Sequence, residues 1–138
     1  MKRNLSTAVG LILILLSCQS PNEECCDGPK EVTLGESFSI KAGETVTIFQ
    51  SAVVLTFESL VSDSLCPEDV ECVTQGSLSI TINVSGTEKT LSIGDNAKPM
   101  TDYKDYSIEL ERLVYPTKQN EKDSNNSTYA VQMKITRS

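Results

Sequence analysis

The sequence predicts an all-β protein, a single antiparallel β-sandwich of about seven strands. Three observations predict it. From Val32 onward, run after run alternates apolar and polar residues with the period of a half-buried strand. Gly, Asn, Asp and Pro punctuate these runs at short intervals, and no segment of useful length carries a helical period. With no Trp, three Phe and four Tyr, the core between the sheets must be mainly aliphatic. An incomplete barrel is the competing arrangement of the same strands.

The first residues do not belong to the domain. Lys2 and Arg3 precede an apolar run from Ala8 to Leu16, which is too short to span a bilayer and has the form of a secretory leader. It ends in Leu15-Leu16-Ser17-Cys18, which resembles the lipobox of bacterial lipoproteins. The resemblance implies that residues 1–17 are cleaved as a signal peptide and that Cys18 is lipidated and acylated. Two or more acyl chains anchor a protein stably, at about 0.8 kcal/mol for each buried methylene. Gln19 stands where Gram-negative lipoproteins retained in the inner membrane usually carry Asp, so the outer membrane of the cell envelope is the expected site, on its periplasmic or its surface face. Residues 18–31 are polar, contain Pro21, Gly28 and Pro29, and read as a flexible tether before a domain at 32–138.

Along that domain each element has its own justification. Phe38 and Ile40 alternate with serines, Ala42-Gly43-Glu44 turns the chain, and Val46 and Ile48 alternate with threonines, which predicts a hairpin. Val53, Leu55, Phe57 and Val61 are expected on one face of a longer strand. Leu78, Ile80, Ile82 and Val84 form the clearest inward row, and Ser85-Gly86 turns it back towards Leu91 and Ile93. Residues 94–105 read as a loop long enough to cross between sheets. Tyr106, Ile108 and Leu110 open a strand that changes phase near Arg112, the mark of a bulge. Residues 116–127 are a polar loop, and Tyr129, Val131, Met133 and Ile135 alternate to the end. The general architecture expected is Ig-like.

Charge and cysteine usage bound the function. Cleavage would remove Lys2 and Arg3 and no acid, leaving ten basic against nineteen acidic residues and a net charge of -9. Such a chain repels phosphate backbones, so no nucleic-acid partner is expected. Besides Cys18 there are four cysteines, which allow three full pairings. The pairing favoured is Cys66 with Cys72, leaving Cys25 and Cys26 as a strained neighbouring pair or as free thiols.

The two loop cysteines lie in Phe57-Glu58-Ser59-Leu60-Val61-Ser62-Asp63-Ser64-Leu65-Cys66-Pro67-Glu68-Asp69-Val70-Glu71-Cys72-Val73-Thr74-Gln75-Gly76. At Phe57, Val61, Asp63, Ser64, Cys66, Pro67, Asp69, Val70, Cys72 and Gly76 this stretch looks like an uncharacterised family of small exported bacterial all-β proteins and lipoproteins. Leu65 and Thr74 replace the Arg and Trp usual there. The resemblance implies an exported all-β domain with a disulfide and no catalytic chemistry.

The chemistry of the residues agrees with a non-catalytic reading. The chain has no His, which removes the ordinary serine and cysteine nucleophile systems and the usual zinc sites. Calcium suits the acids Asp63, Glu68, Asp69 and Glu71 better, with Asp95 or Asp102 in reach, yet their spacing fits no recognised calcium loop; no cofactor or metal is expected. Asp63 and Ser64 suit a turn, where their side chains bond backbone amides. Asp63, Ser64, Pro67, Glu68, Asp69 and Glu71 are the candidate partner-binding loop of an envelope binding or accessory module for a protein or glycan. Two alternatives stand beside it. One is a protease inhibitor presenting the Cys66–Cys72 loop, and the other is a hydrolase using two carboxylates.

Overall fold

A computed structural model describes residues 28–122 and 126–138, and the expectations for the leader, Cys18, Cys25 and Cys26 lie outside them. Nine strands occur among the described residues: β1 (Lys30–Val32), β2 (Ser37–Lys41), β3 (Thr45–Ile48), β4 (Val54–Asp63), β5 (Ser77–Val84), β6 (Thr87–Gly94), β7 (Met100–Tyr103), β8 (Tyr106–Tyr115) and β9 (Ala130–Arg137). They form two packed sheets, one ordered β1-β3-β4-β5-β6 and the other β2-β9-β8-β7. The pairs are antiparallel except β1 with β3. The all-β sandwich is therefore what the protein adopts.

The core is built from the alternation. Leu78, Ile80, Ile82 and Val84 of β5 are fully buried, as are Leu55 and Phe57 of β4 and Val131, Met133 and Ile135 of β9. Each buried aliphatic side chain is worth about 1.5–3 kcal/mol of transfer from water, which is why these rows hold the sheets together. Ser85 and Gly86, both at positive φ, close the β5–β6 hairpin as a two-residue turn whose twist matches that of the strands.

Four expectations need correction. Residues 37–48 do not form a hairpin: β2 pairs with β9, and β3 pairs with β4 in the other sheet. The turn at Ala42-Gly43 is an arch between sheets, with Ala42 N donating to Tyr129 O (2.8 Å) and Gly43 N to Phe57 O (2.7 Å). Inward rows look alike in the two arrangements, because Phe38, Ile40, Val46 and Ile48 face the core whether their strands are neighbours in one sheet or lie in opposite sheets. Val61 does not share the face of Phe57. Register shifts between Phe57 and Ser59 and between Leu60 and Ser62 turn it outward, 59% exposed, and pack Leu60 against the core instead.

Within the expected 94–105 loop, β7 pairs with β8 as the chain crosses to the second sheet; Met100 on it is exposed, so no apolar alternation announces it. The first strand starts at Lys30, inside the stretch read as tether, and adds alongside β3. The phase change expected near Arg112 is present as a register shift between Leu110 and Arg112.

Candidate functional site

At one end of the sandwich, β4 and β5 run on into the cysteine loop. Their ladder continues past the strands, with Ser64 N donating to Ser77 O and Cys66 N to Gln75 O, each at 2.8 Å. Asp63 Oδ1 accepts from Leu65 N (3.0 Å), the turn role expected of it, whereas Ser64 Oγ accepts from Ser77 N (3.1 Å) on the facing segment. Gly76 returns the chain at φ +72°, and a Cβ there would overlap the Ser64 carbonyl. Its N–H donates to Asp95 Oδ2 and its carbonyl accepts from Asp95 N.

Cys66 and Cys72 are disulfide-bonded, Cα to Cα 5.9 Å, and close a ring between positions six apart in sequence. In the chain-entropy account such a ring stabilises by about 2 kcal/mol.

The segment after β8 straps this loop from the other side. Glu68 N donates to Thr117 O (2.9 Å), and Gln119 N, at the start of a 3₁₀ turn (Gln119–Glu121), donates to Asp69 Oδ1 (2.9 Å). Lys122 Nζ donates to Leu65 O (2.8 Å) and pairs with Asp63 at 3.0 Å. The Asp63 side chain is nearly buried, and Tyr129 O–H donates to its Oδ2 at 2.8 Å. Burial first, and then the bond to Asp63, push the Tyr129 phenol above its ordinary range, so it stays protonated and a donor.

Of the six residues expected to face a partner, Glu68, Asp69 and Glu71 are exposed. Pro67 is buried and Asp63 turns inward to Lys122 and Tyr129, so these two shape the loop rather than its outer surface. Ser64 is exposed with its hydroxyl bonded to Ser77. Among the described residues, no three acids or cysteines stand together in a group that could hold a metal ion. Asp95, placed in reach of the loop as a calcium ligand, instead holds Gly76, and the residues that sequence reasoning missed at the loop are Lys122, Tyr129 and Thr117. Their link to the loop spans up to 66 positions, and no local pattern signals it.

The loop presents two apolar side chains to solvent, Val70 (44% exposed) and Val73 (fully exposed), together with Glu68 and Glu71. Beside it lies a cleft of about 360 Å³ whose lining includes Leu65, Pro67, Ile93, Leu113, Glu68 and Glu111.

Fold and site together define a two-sheet β-sandwich whose end carries a disulfide-closed, strapped loop. Compared with known proteins, the chain matches no family model, no curated protein and no solved structure.

Proposed function

We propose that this is a non-catalytic envelope lipoprotein, anchored through Cys18, that binds a protein partner with its cysteine loop. The observation that carries the reading is the bracing of that loop. It is tied on one side by the β4–β5 ladder and on the other by Thr117, Gln119 and Lys122, while Val70 and Val73 stand out in water. A loop already held in one shape loses little conformational entropy on binding, and exposed aliphatic side chains supply contact area. The acids around them, with no Lys or Arg between Phe57 and Gly76, favour a protein surface of opposite charge over an acidic glycan.

The test is site-specific photo-crosslinking in cells, with the reactive group at position 73 and, as control, at Glu88 on the exposed start of β6. A discrete adduct from position 73 alone is expected. Equal adducts from the two positions would refute the reading.

A second reading, inhibition of a protease, is favoured by the fully exposed Val73 on the ring-closed loop. Stoichiometric inhibition of an envelope protease with a small aliphatic subsite, abolished by Val73→Asp, is its expected outcome. Unchanged inhibition in that variant would dismiss it.

A further inference from the structure

The end of the sandwich away from the cysteine loop carries a second recess. β4 leaves that end at Val54 and β8 at Tyr106, and both run towards the loop. Thr33, Leu34, Phe49, Gln50, Tyr106 and Arg137 line a cleft there of about 340 Å³, at the small end of ligand pockets. Its walls join both sheets. Tyr106 O–H, on β8, donates to Ser51 Oγ at 3.1 Å, and the same oxygen accepts from Val53 N at 3.2 Å, which fixes the 49–53 turn against the second sheet. Phe49 N donates to Val32 O (2.9 Å), Ser51 N to Ile48 O (3.0 Å) and Gly35 N to Ile135 O (2.7 Å). These backbone donors are already used, so the cleft meets a ligand mainly through side chains.

The side chains point to one chemistry. Phe49 is 51% exposed and lies outside the residues packed on the core, so its ring stands in water without a structural use. Arg137 is exposed and in no ion pair among the described residues. It stands at the Tyr106 hydroxyl: the Ser51 bond first, and Arg137 after it, lower the Tyr106 pKa, and Asp105 opposes them least. No Asp or Glu lines the cleft, in a chain with nineteen of them, while Gln50 and Thr33 add an amide and a hydroxyl. An apolar ring face for Phe49, hydroxyls for Gln50 and Thr33, and a carboxylate for the Arg137 fork occur together in acidic sugars. A single carboxylate, unlike a phosphate backbone, meets only local charges, because the chain's other acids are screened beyond about 8 Å at physiological ionic strength.

We infer that this cleft binds a pyranose ring bearing a carboxylate, with the C–H face of the ring on Phe49, its hydroxyls on Gln50 and Thr33, and its carboxylate on Arg137. The site lies at the opposite end from the cysteine loop and does not depend on the loop reading.

The experiment is amide NMR of the isotope-labelled full chain titrated with the methyl glycosides of glucuronic and galacturonic acid. Comparison ligands are the methyl glycosides of glucose and galactose, cyclohexanecarboxylate, acetate, and acetyl-Val-Phe with a free C-terminus. At least one uronide is expected to shift the amides of residues 33–34, 49–51, 106 and 137 and to leave 64–76 unmoved. The matching neutral glycoside should bind about tenfold more weakly, the loss of one charge-assisted contact, and Arg137→Gln should remove the difference. Phe49→Ala, at a side chain outside the core, should weaken both sugars about fivefold with the melting temperature unchanged. Absence of these shifts with both uronides, or equal binding of the neutral glycoside, would overturn the inference. So would binding of cyclohexanecarboxylate, acetate or the peptide as tight as that of the uronide, or undiminished binding in Phe49→Ala.

Discussion

Asp63 gathers three partners at the cysteine-loop end of the sandwich. Its carboxylate meets Lys122 Nζ, Tyr129 O–H and Leu65 N, so one side chain joins β4, the strap and the start of β9. Removing one partner of such a pair leaves a nearly buried charge without its counterion. Lys122→Met is expected to destabilise by about 2 kcal/mol and to raise amide exchange over 116–122 by far more than over β5, measurable by hydrogen exchange. Tyr129 adds a pH dependence. Its folded pKa lies above the unfolded value near 10, so the stabilisation is complete below that pH and is lost as pH rises past it, where the unfolded chain releases its proton first. Urea melts should therefore show stability falling above about pH 10, with a shallower fall in Tyr129→Phe.

At the scale of elements, the loop has two kinds of closure, and they fail differently. Cys66→Ser with Cys72→Ser removes the covalent ring and is expected to cost about 2 kcal/mol, read as a lower melting temperature with the fold retained. Gly76→Ala is expected to be worse locally, since the new methyl meets the Ser64 carbonyl in a left-handed backbone. Its NMR spectrum should move at 64–66, 75–77 and 94–95, and an unchanged spectrum there would contradict the close approach. The element scale is also where the readings of β2 and β3 and of β4 diverge from the sequence. A row of inward residues carries no information about which strand pairs with it. A bulge inverts the row beyond it, as Val61 and Leu60 show.

For the whole molecule, the proposed anchor and the domain make separable predictions. Cys18→Ser is expected to release the protein from membranes with its melting temperature unchanged, and fractionation of cells checks this. One aliphatic core takes side chains from both sheets, so Ile80→Ala, deep in β5, is expected to cost about 2–5 kcal/mol and to lower the stability of every strand together, read by hydrogen exchange.

The sequence alone determined the all-β class, the aliphatic core and the inward rows of β5 and β9. It also favoured the Cys66–Cys72 pairing and the bulge near Arg112. These follow from period, turn chemistry and short separation, which are local properties of a chain. Only the tertiary structure decided which sheet each strand joins, that Asp63 faces Lys122 and Tyr129, and that the segment after β8 straps the cysteine loop. Those depend on contacts between segments far apart in sequence, where loop closure and packing choose among partners that look equivalent in a linear pattern.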